Sequence, residues 1–182
     1  MPFEKKETII PGCFELIPRV HSDERGLFVK TFHDEDFQSL GLETDFREEY
    51  YSLSKKGVLR GLHFQKPPHD HAKVVYCARG GVFDAVLDLR RDSPSFGRHF
   101  CAELRAEKAN MIYVPKGCAH GFYALSDEAA LFYKVTSVHA PDSDSGILWN
   151  SAGIPWPDRN PRLSARDAGF ETLEQYRVHP AF

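Results

Sequence analysis

Two stretches, Arg60-Gly61-Leu62-His63 and Pro115-Lys116-Gly117-Cys118-Ala119-His120-Gly121, each set a histidine in a strand-like context, the first with an arginine beside it. Lys73 and Tyr133 lie between and after them, and Arg166-Asp167 stands near the end of the chain. Together these residue types supply a base, a cationic electrophile, a phenolic acid and a carboxylate able to orient the base. A C–H next to a ketone is a weak acid, so its removal needs a base and a cation over the developing enolate oxygen. The set suits proton abstraction beside a carbonyl.

Strands must hold these groups. Val82 to Leu89 alternates, with Phe83, Ala85, Leu87 and Leu89 on one face and Asp84 and Asp88 on the other, which predicts a half-buried strand with the aspartates as a polar rim. Lys73–Ala78, His99–Leu104, Asn110–Val114, Gly121–Leu125 and Ala130–Thr136 read likewise, separated by turns such as Arg79-Gly80-Gly81 and Pro115-Lys116-Gly117. Regular alternation puts His63 on a face with Leu59, Gly61 and Gln65, and Arg60 on the opposite one. Lys73 shares a face with Val75 and Cys77, and Tyr133 turns inward with Leu131 and Val135. Closely spaced strands with Gly/Pro turns predict an all-β antiparallel jelly-roll barrel. Helices are few: one over His33–Leu40 and one in the tail between Asp167 and Tyr176. No repeat or linker divides the chain, so residues 1–182 are expected to form one domain. A small barrel of this kind hides its edges by dimerising, with exchange of N-terminal strands.

Composition narrows the function. The chain has 182 residues, 42% hydrophobic and 27% charged, with a formal net charge of −3. That balance lacks the basic excess of a nucleic-acid surface. No segment approaches the ~20 apolar residues of a membrane helix, and Met1-Pro2-Phe3-Glu4-Lys5-Lys6 lacks a signal-peptide core. A cytoplasmic location is expected. Cys13, Cys77, Cys101 and Cys118 form no CxxC pair and read as reduced, space-filling thiols.

Metal binding is the rival chemistry. Pro115-x-Gly117-x-x-His120 resembles the second motif of the cupins, with Ala124 in place of that motif's asparagine. His69-x-His71 imitates the paired histidines of the first motif, but the glutamate that completes it is absent from Lys73–Ala78. His69 and His71 follow Pro67-Pro68 and read as an exposed loop. No metal and no cofactor are therefore expected.

Arg60-Gly61-Leu62-His63-Phe64-Gln65, Asp84 to Arg90 with Ser93-Pro94-x-Phe96-Gly97, Pro115-x-Gly117-x-x-His120-Gly121-Phe122, Phe132-Tyr133-Lys134 and Gly146-Ile147-Leu148-Trp149-Asn150 resemble the dTDP-4-dehydrorhamnose 3,5-epimerase family. The resemblance runs from about Ser22 to Asp167. It implies a metal-independent cupin jelly roll, usually a homodimer, acting on a nucleotide-diphosphate-linked 4-keto-6-deoxyhexose in deoxysugar biosynthesis. By this resemblance His63 is the general base, Asp167 its partner, Tyr133 the proton donor on the opposite face of the sugar, and Lys73 the group that stabilises the enolate. Arg25, Arg60, His120, Asp144 and Arg166 match positions that hold diphosphate, sugar or the closing tail. Departures fall at Lys30, Glu48, Tyr50 and Val138, which contact or flank the nucleotide base in the family and usually carry other residues there. A CDP-linked sugar, as for a CDP-3,6-dideoxyhexulose 5-epimerase, is the alternative these departures leave open, and a single-centre epimerase or a ketoisomerase of the same family is another, because such relatives share the catalytic set. A metal-dependent cupin enzyme and a non-catalytic sugar-nucleotide-binding module are the more distant ones.

Overall fold

Alternating apolar residues and glycine turns give thirteen strands and three one- or two-turn α-helices in this computed structural model, which describes residues 3–182. In chain order they are β1 (Phe3–Glu7), β2 (Phe14–Pro18), β3 (Val20–Asp23), β4 (Gly26–Val29), α1 (Asp34–Ser39), β5 (Glu48–Lys55), β6 (Leu59–Gln65) and β7 (Lys73–Arg79). There follow β8 (Gly81–Asp88), β9 (His99–Arg105), β10 (Met111–Val114), β11 (Cys118–Ala124), β12 (Glu128–Val135), β13 (Asp144–Gly146), α2 (Ala165–Ala168) and α3 (Leu173–Tyr176). The strands form a six-stranded sheet, β1-β2-β10-β7-β12-β5, and a five-stranded sheet, β13-β6-β11-β8-β9. All their pairings are antiparallel. This is the expected jelly-roll architecture.

Three apolar layers hold it together. Val75, Ile112, Val114 and Leu131 from the first sheet meet Val82, Val86, Leu104 and Phe122 from the second. Outside the first sheet, Phe37 of α1 packs with Leu16, Val74 and Met111. Outside the second, Leu62, Phe64, Ala85 and Leu87 are covered by Ile154, Leu173 and Tyr176 of the C-terminal excursion. Most of these side chains lose their whole water-accessible surface, each contributing about 1.5–3 kcal/mol.

Those outer layers correct the expectation for β8. Its even positions are not a solvent rim: Val82 and Val86 join the inter-sheet core, and Asp84 and Asp88 are buried with them. The odd positions face the tail. The tail differs too. In place of one helix there are two single turns, because the chain leaves α2 at Gly169 and Thr172 starts α3 afresh with a capping box.

The five-stranded sheet has one irregularity that bears on the site. His120 pairs with His63 and Phe122 with Arg60, so two residues of β6, Gly61 and Leu62, oppose the single Gly121. A Cβ on Gly61 would stand 2.5 Å from the Gly121 Cα, and its φ is +130°, so only glycine fits. This bulge shifts the alternation. Arg60 and His63 therefore share a face, contrary to regular counting.

The hairpin β3–β4 pairs with neither large sheet and is exposed along nearly its whole length, Leu27 and Phe28 included. No helix among the described residues is long and apolar enough to cross a membrane.

Candidate active site

β6, β7, β5 and β13 converge on a cavity of about 250 Å³ lined by Glu48, Tyr50, His63, Lys73, Asp144 and Arg166, with Gln65, His71, Ser137 and His139 completing its polar wall. A groove lined by Arg60, His63, Arg162, Ser164, Arg166 and Asp167 adjoins it through the shared His63 and Arg166.

His63 is the joint between the two. Its Nε2 lies 2.9 Å from Asp167 Oδ1, while Asp167 Oδ2 accepts the Gly61 N–H at 2.9 Å. Asp167 is 4% exposed. Burial alone would raise its pKa, but the bonds from His63, the Gly61 N–H and Ser164 outweigh it and hold the carboxyl below its usual range. An ionised Asp167 at Nε2 fixes the tautomer with the proton on Nε2, which leaves Nδ1 unprotonated and able to act as a base. Ser164 sets the carboxylate's place, since it caps α2 by accepting the Asp167 N–H at 3.0 Å.

Lys73, the first residue of β7, is 4% exposed rather than at a solvated strand end. Desolvation drives its pKa down from 10.5 to about 8, against the raising pull of Asp84, Asp144 and Cys118. Between pH 8 and 10.5 the unfolded chain holds a proton that the folded one has released, so stability rises with pH through that window. Below pH 8 the buried ammonium exacts its full cost. Lys73→Met is accordingly expected to raise the melting temperature at pH 7, by of order 3 kcal/mol in stability, a gain that thermal unfolding would register and that a fall in Tm would refute.

Tyr133 stands on β12 with its hydroxyl 3.2 Å from Ser52 Oγ, its ring stacked on Tyr50 at 4.7 Å and edge-on to His120 at 6.1 Å. Burial pushes its pKa far above the usual phenol value, so it remains a proton donor at all working pH. His120 Nε2 meets Asp84 at 2.7 Å, and both are almost wholly buried. Removing either partner would strand the other, at a cost on the order of 3–5 kcal/mol. Asp88, the other supposed rim residue, accepts from Arg90, Ser93 and Ser95 and ties the β8–β9 turn together.

Of the residues singled out from sequence, the fold brings His63, Lys73, Glu48, Tyr50, Asp144 and Arg166 to the cavity. Tyr133 stacks on Tyr50 with His120 edge-on to Tyr133, and Arg60 reaches Ser54 at 3.0 Å. Asp144 and Arg166 pair across the entrance at 2.9 Å. Glu48 accepts the His139 N–H at 2.7 Å. Two residues stay apart within one chain. Arg25 sits on the β3–β4 hairpin with its side chain 85% exposed and paired with Asp23, and Lys30 is exposed just beyond it.

His69 is exposed as expected, but His71 is not. His71 is turned into the cavity wall, where its Nδ1 lies 3.3 Å from Gln65 and Ser137 and its Nε2 has no partner among the described residues. Burial, then Lys73, His139 and Lys116, depress its pKa to about 3, so it is neutral. Among the described residues no three His, Cys, Asp or Glu side chains converge as metal ligands, and His120 is engaged by Asp84. Cys13, Cys77 and Cys118 are buried and Cys101 half-buried, all free. Gln65, Ser137, Asp84 and Ser52 were missed in sequence, where a glutamine or serine on a strand carries no signal of its own; only the register reveals what each one meets.

Residues 7–175 match the family described as dTDP-4-dehydrorhamnose 3,5-epimerase. The chain is 43% identical over 173 residues to the dTDP-4-dehydrorhamnose 3,5-epimerase of Salmonella typhimurium, an alignment covering 93% of this chain and 94% of that one. It is 42% identical over 178 residues to the Methanothermobacter thermautotrophicus enzyme of the same name, covering 95% and 96%. Among solved structures, the Bacillus anthracis epimerase with TDP and pyrophosphate bound superposes with a TM-score of 0.91 at 36% identity, covering 93% and 99%. The Legionella pneumophila enzyme in complex with dTDP-4-keto-L-rhamnose gives 0.91 at 35%, covering 94% and 93%.

Proposed function

The chain belongs to the dTDP-4-dehydrorhamnose 3,5-epimerase family, a family of carbohydrate isomerases, and from that premise we propose that it inverts C3, C5 or both in a dTDP-linked 4-keto-6-deoxyhexose. The observation that carries the reading is the His63–Asp167 pair at the edge of a cavity it shares with a buried lysine.

In this reading His63 Nδ1 takes a proton from a carbon flanking the C4 ketone, and Asp167 supports the imidazolium that forms. The electron pair moves onto the C4 oxygen, where the Lys73 ammonium stabilises it. Tyr133 then delivers a proton to the opposite face, and inversion is complete. The phenolate and the imidazolium reset by exchange with solvent, so solvent hydrogen enters the product. Arg60, Arg166, Asp144 and His120 hold the diphosphate and sugar, while Glu48 and Tyr50 meet the nucleotide side. No metal or organic cofactor is required by this proton transfer.

The proposal extends to a homodimer. The β3–β4 hairpin exposes Leu27 and Phe28 around Arg25, as an arm that lies across a second copy would. That contact would bring Arg25 and Lys30 to the neighbouring cavity.

The test is turnover in deuterated water, followed by NMR, with dTDP- and CDP-linked 4-keto-6-deoxyglucose. Deuterium at C3 or C5 of the dTDP sugar is the expected result. Incorporation with the CDP sugar alone would move the assignment to the other nucleotide, and none with either would overturn it. Tyr133→Phe sharpens the mechanism. Deuterium wash-in is expected to continue, because His63 still removes and returns the proton on one face, while inversion slows by about 10²-fold or more. Equal loss of both rates would remove Tyr133 as the acid.

A further inference from the structure

Phe170, one residue beyond the Gly169 cap of α2, touches three parts of the site at once. Its ring stands edge-on to the His63 imidazole, 5.6 Å between centroids and 80° between planes. The Arg166 guanidinium lies 5.4 Å from the same ring. The third contact is with backbone. A Cβ built on Gly146 would fall 2.3, 2.5 and 2.5 Å from three carbons of the Phe170 ring, so the ring occupies the space a side chain would need. Gly146 is the direct cross-strand partner of His63. The next residue, Glu171, accepts the Leu148 N–H at 2.7 Å and bridges to Ile147, which anchors the segment to the strand end beside Gly146.

These contacts bear on what Asp167 alone cannot do. One hydrogen bond from Nε2 sets the position of that nitrogen but leaves the imidazole free to swing about it. A second, lateral contact is required to fix the plane of the ring and hence the direction of Nδ1. We propose that Phe170 is the positioning residue of this site, a wedge seated on Gly146 that holds the His63 ring with Nδ1 toward the cavity. This role rests on His63 being the base, as set out above. Phe170 itself lines neither the cavity nor the adjoining groove.

Two substitutions test it from opposite sides. Phe170→Leu removes the wedge, and Gly146→Ala displaces it. Each is expected to lower kcat by roughly 10- to 100-fold, the scale of an ångström's misplacement, with KM near the wild-type value. The double variant is expected to lose little more than either single one, because alanine at 146 no longer meets a ring. The second readout needs no turnover: a sharp downfield proton resonance from the His63 Nε2–H···Asp167 bond is expected in the wild-type protein, and it is expected to broaden or vanish in both single variants while the melting transition stays cooperative. A resonance unchanged from wild type in Phe170→Leu would overturn the proposal, whatever the activity. Wild-type kcat in both singles, or losses that multiply in the double variant, would overturn it equally. If the wild-type protein fails to exchange deuterium with any 4-keto sugar, the functional reading fails, and the resonance still decides whether Phe170 holds His63. Phe170→Tyr, which keeps the ring, is expected to restore both signals.

Discussion

His63→Gln is expected to abolish deuterium entry at C3 and C5, lowering kcat/KM by about 10²- to 10⁴-fold, the usual contribution of a positioned base. Glutamine is the informative substitution because its amide spans to the place of the imidazole Nε2 and can still donate to Asp167, whose buried carboxylate would otherwise keep only the Gly61 N–H and its Ser164 contact. What glutamine lacks is a second nitrogen with a free lone pair. The fold is thus retained, the melting curve stays close to wild type, and the loss reads as chemistry. Deuterium exchange measured by NMR across subsaturating and saturating substrate checks it. Exchange at the wild-type rate would remove His63 as the base and, with it, the purpose assigned to Asp167.

Lys73→Met is expected to cost about 10²- to 10³-fold in kcat, the scale of losing one preorganised donor to a developing oxyanion. Methionine fills nearly the same space without the charge, so the same change that improves stability removes function. The pH dependence carries a second signature. With its pKa lowered to about 8 by burial, Lys73 is an ammonium below that pH and a neutral amine above it. Catalysis that uses the ammonium is therefore present on the acid side and lost as pH rises through about 8. Tyr133 cannot produce this limb, because burial places its ionisation far above the range. Profiles of kcat for wild type and Lys73→Met settle the assignment: the wild-type rate falls above pH 8, and the residual rate of the variant has no such limb. An alkaline limb that survives in Lys73→Met belongs to another group.

Much of this was legible before any coordinates. Alternation located β7 to β10 and β12 within a residue or two at each end, since a strand with one face in a core must repeat every second residue, while β11 begins three residues earlier than expected, at Cys118. His63, Lys73, Tyr133 and Asp167 were recognisable by type, and they occupy the cavity or its immediate backing. The misreadings share a physical origin. Period-two counting across Gly61 put Arg60 opposite His63, but a bulge adds one residue to the count and reverses the phase beyond it. For β8 the counting and the buried odd face were right, and only the solvent rim assigned to the even face was wrong. The tail covers the face that looked like the only core, and the aspartates lie inside because His120 and Arg90 satisfy them there. His71 looked exposed after two prolines, yet the Gln65 amide and Ser137 draw it into the wall.

The separation between His63 and Asp167 is 104 residues, and the covering of the second sheet comes from residues beyond Asp167 as well. During synthesis both sheets leave the ribosome before the carboxylate that orients the base. A nascent chain thus lacks the His63–Asp167 pair until its tail is made, and the helical turns of the tail both seal the outer layer and complete that pair. Turnover becomes a report on translation past Asp167. A product broken off before that residue would present an uncovered apolar sheet and no oriented base, which marks it for proteolysis rather than for work.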